Sequence, residues 1–183
     1  MLHNATDGQL FIAWVAGDEQ AFVLLYQRYK DSLYRYLLRH LETSVATELF
    51  QEVWARLVKN RHQFDSGQSF KPWLFAIAHH LVIDTFRRSQ SQLSWTEENP
   101  SQSGEIQSSL SPEELLALKY QRKCVESAIA TLPVHQRNAF LLRYEGEFSL
   151  QEIADITGEA KETVKSRLRY ANNKLRHLVR RCQ

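Results

Sequence analysis

The chain has 183 residues, 43% of them hydrophobic and 24% charged, with only six glycines and four prolines. That composition suits a folded helical protein of one ordinary domain or two very small ones, and argues against a turn-rich β architecture. Lysine and arginine outnumber the acids by 23 to 21, so net charge identifies no partner and only its distribution can.

From the N-terminus, a short helix over about Gly8 to Ala16 is predicted first. Asp18 is placed to cap a second, in which Phe22, Leu25, Tyr26, Tyr29, Leu33, Tyr36 and Leu37 recur at three and four positions. A third fits Ala46 to Lys59, with Leu49, Phe50, Val53, Trp54 and Leu57 on one stripe. A loop from Asn60 to Ser69 leads to a fourth helix, Pro72 to Arg88, with Pro72 suited to its first turn.

Between Ser89 and Pro112 the composition changes. Eight of these residues are serine and four glutamine, and no lysine or arginine occurs between Arg88 and Lys119. Such a stretch buries too little apolar surface to offset its ordering entropy, and reads as a flexible linker. The expected division is therefore residues 1–88, a linker over 89–112, and residues 113–183.

The second block is helical as well. Pro112 opens a helix to about Ala130, and Leu132-Pro133 separates it from one ending near Tyr144. Glu145-Gly146-Glu147 reads as a turn. Ser149, with Glu152 three residues on, forms a capping box, and Gly158 ends that short helix. A last helix begins at about Lys161.

Ser149 to Arg176 has the register of a helix-turn-helix. Ala154 is small where two steeply crossed helices meet, Gly158 stands at the turn, and Val164 follows where the second helix locks on. Val164, Leu168, Ala171, Leu175 and Leu178 form one inward stripe. The opposite face carries Lys161, Glu162, Lys165, Ser166, Arg169 and Asn173, and eight lysines or arginines against one acid lie between Lys161 and Arg181. Short polar and basic residues at the start of such a helix suit the major groove of DNA.

The run Leu132-Pro133, Arg137, Phe140 to Gly146, Ser149 to Ala154 and Thr163 to Leu168 resembles the C-terminal domain of extracytoplasmic-function sigma factors of the sigma-70 family. In looser form it is shared with response-regulator output domains. The first block settles the choice. Ala21 to Tyr36 is similar to that family's first helix, Glu48 to Trp54 to its polymerase-docking helix, and Phe70 to Arg88 to the helix that melts and reads the minus-ten element.

The resemblance implies an all-α protein of two small domains joined by a flexible linker. It implies a non-enzymatic subunit directing core RNA polymerase to promoter DNA, for a stress or envelope-type regulon, and restrained by an anti-sigma factor. Lys161, Glu162, Thr163, Lys165, Ser166 and Arg169 would contact the minus-thirty-five element. Phe64, Phe70, Trp73, His80, Arg87 and Arg88 would contact the minus-ten element. Glu48, Leu49, Phe50, Gln51 and Glu52 would dock on polymerase, with Leu49 and Phe50 as exposed apolar anchors. His79-His80 stands where the family usually has Arg-Asn, and Val45 and Thr47 replace acids common before the docking motif.

Two other classes fit the residues less well. A helix-turn-helix regulator acting without polymerase needs a dimer interface, and the first block shows no heptads. An enzyme needs a phosphate loop, nucleophile motif or metal spacing, and none is present, so no cofactor, metal or small-molecule substrate is expected. Cys124 and Cys182 lie outside any C-x-x-C pattern and are expected as reduced thiols. With no signal peptide and no run of the ~18–20 apolar residues a membrane span needs, a cytoplasmic protein without membrane insertion is expected.

Overall fold

The computed structural model describes residues 5–63, 69–92 and 112–180, and all regular structure among them is helical. Helix α1, Asp7–Val15, starts from a capping box in which Thr6 Oγ1 accepts from the Gln9 amide and Gln9 Oε1 from the Thr6 amide. Gly17, at φ 105, turns the chain into α2, Glu19–Leu38. Asp18 caps α2 as its sequence position predicts, accepting from the amides of Gln20 and Ala21 at 3.0 and 3.4 Å.

Helix α3, Thr43–Lys59, begins three residues earlier than the apolar stripe indicates, because only the inward face sets that stripe. A 3-10 turn, Arg61–Gln63, follows. Helix α4, Phe70–Gln92, is longer than predicted at both ends. Pro72 occupies its first turn, where a missing amide costs nothing. Ser89 to Gln92 continue the helix past Arg88, so the polar segment begins in helical form; Pro112, its expected end, opens the next helix, and 93–111 lie outside the described residues.

These four helices bury Leu10, Leu25, Leu33, Leu37, Leu57 and Leu74 completely. An aromatic layer flanks them. Trp14 stacks on Phe22 at 4.8 Å, Phe22 meets Trp54 edge-on at 5.9 Å, and Tyr26 lies 4.9 Å from Trp54.

The second half holds α5, Pro112–Ala130, α6, Val134–Tyr144, α7, Leu150–Thr157, and α8, Lys161–Val179. The sharp exit from α6 depends on Gly146. A Cβ there would sit 2.6 Å from the Phe148 ring and 2.8 Å from the Leu142 carbonyl. Phe148 can therefore fold back and bury itself.

Cys124 is disulfide-bonded, which overturns the expectation of a reduced thiol. Cys182, the only other cysteine of the sequence, lies outside the described residues.

The two halves share a core, which modules standing apart on a tether would not. Phe75 of α4 and Phe148, each 1% exposed, meet edge-on at 5.1 Å, and α7 packs on α4 as well as on α8. Lys71 Nζ donates to the Gly146 carbonyl at 2.6 Å and lies 4.6 Å from the Phe148 ring centre. At the rim Arg39 pairs with Glu126 at 2.8 Å and Glu145 at 3.0 Å. No described helix is long and apolar enough to cross a membrane.

Candidate nucleic-acid interface

The geometry of α7 and α8 follows directly from local chemistry. Ser149 Oγ accepts from the Glu152 amide at 3.2 Å and Glu152 Oε2 from the Ser149 amide at 2.8 Å, so α7 starts with two of its free amides satisfied. It ends at Gly158, whose φ of 68 and ψ of 27 are left-handed. Glycine adopts that conformation without the Cβ clash other residues meet.

Helix α8 then buries Val164, Leu168, Ala171 and Leu175. With that stripe turned inward, Lys161, Glu162, Thr163, Lys165 and Arg169 stand exposed and Ser166 half-buried on the other side. Lys165 Nζ pairs with Glu162 at 2.6 Å, and the Arg169 guanidinium lies 5.3 Å from the centre of the exposed Tyr170 ring. Arg167 instead turns inward and pairs with Glu159. The basic face of α8 is thus free although the two halves are joined. The N-cap residue Ala160 offers no side-chain acceptor, and its carbonyl takes the Thr163 amide at 2.8 Å, so α8 starts without a side-chain cap.

Residues 25–92 match the Sigma-70 region 2 family and residues 122–175 the Sigma-70 region 4 family. The chain is 32% identical over 152 residues to the ECF RNA polymerase sigma factor SigX of Bacillus subtilis, covering 81% of this chain and 78% of that one. It is 29% identical over 171 residues to SigW of the same organism, covering 90% and 91%. The chain belongs to the extracytoplasmic-function sigma factors. It also resembles the sigma factor RpoE solved with the anti-sigma factor NepR from Bartonella quintana, at 24% identity and a TM-score of 0.73 over 87% of this chain and 96% of that one, a likeness of fold.

This sigma factor is therefore a non-enzymatic subunit that binds core RNA polymerase and promoter DNA and directs transcription initiation. Among its described residues no group of three or more His, Cys, Asp or Glu side chains converges on a point that could hold a metal.

The residues expected at the minus-ten surface are scattered. Phe64 lies outside the described residues. Phe70 is 2% exposed and packs on Phe11 at 5.8 Å and Tyr29 at 5.6 Å, so it belongs to the core of the first half and offers no wall to a base. An aromatic residue at the start of a helix reads the same in sequence whether it faces in or out. Trp73 is half-buried, edge-on to Phe11 at 5.7 Å, and it lines a cleft whose far side is Glu152, Asp155 and Ile156 of α7. His80, Arg87 and Arg88 are exposed. Arg87 lies 4.0 Å from Asp84, and Arg88 Nε donates to the Asp84 carbonyl at 3.4 Å.

On α3, Glu48, Gln51 and Glu52 are exposed, and Glu52 pairs with Arg56 at 2.7 Å. Leu49 is 6% exposed and packs inward, which corrects its expected part as an exposed anchor. Its position on the stripe with Val53 and Leu57 already carried that signal. Phe50 is half-buried, 5.5 Å from Tyr34 and 6.2 Å from Tyr26, with an edge left to solvent. Arg88 lines the same shallow groove as Glu48, Leu49, Gln51 and Glu52.

What the sequence did not point to is the junction between the halves. Tyr36, Arg39, His40 and His79 meet Arg137, Asn138, Glu145 and Phe148 there. No local pattern pairs residues so far apart, and the one hint was that His79 departs from the family's usual residue.

Proposed function

We propose that this sigma factor reads its promoters with two surfaces, one on each side of the segment 93–111. Lys161, Glu162, Thr163, Lys165, Ser166 and Arg169 of α8 contact the minus-thirty-five element. Trp73, His80, Arg87 and Arg88, with Phe64, serve the minus-ten element. The observation that carries this is the division of α8 into a buried apolar stripe and an exposed polar and basic face. Arg and Lys there can donate to guanine edges and phosphates, and a helix start without a side-chain cap favours a phosphate.

Glu48, Gln51 and Glu52, with the edge of Phe50, form the polymerase-docking face, polar at its rim and apolar at its centre. Residues 1–88 and 113–183 act as two modules, each a weak binder alone. Tethering both to polymerase raises the effective concentration of the second contact. The protein works in the cytoplasm, where an anti-sigma factor restrains it. The RpoE of Bartonella quintana, similar in fold, is held in complex with such a partner, the anti-sigma factor NepR.

The test is run-off transcription by purified core polymerase on a genomic promoter library, with and without this chain. Promoter-specific transcripts that appear only with the chain are expected. A folded chain that adds none to an active core overturns the reading.

A further inference from the structure

We propose that the face joining the two halves is a proton-operated latch, in which His40 and His79, buried at that face within the field of cationic groups of the other half, drive the halves apart when they take up protons.

The geometry comes first. His40 follows α2 and is 2% exposed, with the Tyr36 ring at 4.9 Å. His79 sits mid-way along α4 and is 5% exposed. Among the described residues neither ring nitrogen of His40 has a hydrogen-bond partner, nor has His79 Nδ1. Across the junction, Arg137 of α6 is 6% exposed and, among the described residues, unaccompanied by any acid. Its Nη2 donates to the carbonyls of Ala130 and Leu132, its Nε and Nη1 have no partner, and the Phe86 ring of α4 lies 6.0 Å from it.

The charges that bear on the two imidazoles all have one sign. His40 faces Arg137 from α6 and His79 from α4. His79 faces His80 on its own helix, His135 and Asn138 from α6, and Arg167 from α8, whose charge is shared with Glu159. Among the described residues no carboxylate acts on either ring. A proton placed on His40 or His79 would therefore be a buried charge facing like charge; among the described residues nothing is placed to accept a hydrogen bond from His40, and the Asn138 side chain alone does so for His79.

The proton affinities follow. Burial pushes His79 down to about 4, with His80 adding to the effect and Asn138 opposing it. Burial, then Arg137 and His79, hold His40 well below 6.5. Once the halves part, the groups supplied by α6 and α8 withdraw, water reaches both rings, and they titrate near the ordinary value of ~6.5. A base depressed in the closed form stabilises that form fully above ~6.5 and ceases to do so as pH falls below it. For two such rings, the open-to-closed ratio rises roughly thirtyfold between pH 6.5 and 5.5.

Opening separates α7 from the first turns of α4, including the Trp73 side of the cleft. That this exposes a promoter-reading surface rests on the function proposed above, but the latch itself does not, and its test uses no polymerase. The radius of gyration and sedimentation coefficient of the full chain are measured at pH 7.5 and 5.5, with far-UV circular dichroism alongside. The wild type is expected to expand at pH 5.5 with its helix content unchanged, whereas the His40→Leu/His79→Leu variant stays compact at both.

A wild type that stays compact at pH 5.5, a double variant that expands equally, or loss of helix together with expansion overturns the latch. If the double variant is not compact at pH 7.5, an NMR titration of the wild-type imidazoles decides. Both rings charging in step with expansion supports the latch, and either ring charging near pH 6.5 in a compact chain overturns it.

Discussion

The Tyr36 hydroxyl donates a 2.6 Å hydrogen bond to Asn138 Oδ1, joining α2 to α6 between residues that are each at most 4% exposed. Burial holds the phenol's proton on well above its ordinary range, so it remains a donor at any pH the fold tolerates. Apart, both groups would bond to water. Together, buried with the Phe75 and His40 rings beside Tyr36, they identify one way of docking the halves.

Tyr36→Phe keeps the ring and removes the donor, leaving Asn138 Oδ1 buried and unsatisfied. A loss of about 1–3 kcal/mol from the closed arrangement is expected. Limited proteolysis across the junction should quicken accordingly, while the helix content of each half stays unchanged. Unaltered cleavage would show that the bond contributes nothing to docking.

Gly146→Ala tests the turn that seats Phe148. The added methyl would stand 2.6 Å from that ring and 2.8 Å from a backbone carbonyl that cannot step aside. We expect a thermal midpoint several degrees lower, consistent with the 1–3 kcal/mol typical of overpacking. A loosened junction should accompany it, because the carbonyl of Gly146 itself receives Lys71.

Acid acts on a second group at the rim. Burial alone would raise Glu126, but hydrogen bonds from Arg39 and Arg122 outweigh it and lower its affinity for protons. A carboxylate held down in this way contributes stability above its ordinary value of 4.5, and that contribution is lost as pH falls below it. Glu126→Gln should therefore abolish the part of the acid-induced loss that develops below pH ~4.5, and leave any change nearer pH 6 intact. Urea titrations at stepped pH would separate the two windows.

Arg169→Ala addresses the face of α8. Its guanidinium is exposed and, among the described residues, lies against the Tyr170 ring, so folding should be unaffected. Loss of a base or phosphate contact is expected to weaken promoter binding by the assembled polymerase by about 1–3 kcal/mol, with no change in affinity for the core enzyme. Equal loss of both would mean that α8 faces polymerase and not the promoter.

Much of this architecture is legible in the residues. The Asp18 cap, the Ser149 and Glu152 capping box, the left-handed Gly158 and the Val164 stripe are local devices, and each forces its own conformation. Exposure is legible where it follows from such a stripe, as on α8. It is not legible where an apolar residue could point either way, and so Phe70 and Leu49, expected at surfaces, lie inside. Ser89 to Gln92 carry no helical signal of their own and extend α4 because the turns before them are already formed. Tyr36 and Asn138, or Phe75 and Phe148, belong together only once the eight described helices are in place.

The edge-on pair of Phe75 and Phe148 sets a time limit on the parted chain. Separation wets two phenyl rings at once and leaves α7, only eight residues long, without one of the helices it leans on. A surface of that kind is adhesive, and copies with it bared would tend to clump. A parted chain must therefore be captured by a larger assembly or snap shut again, and its supply is set by how fast it is captured as much as by how often it parts.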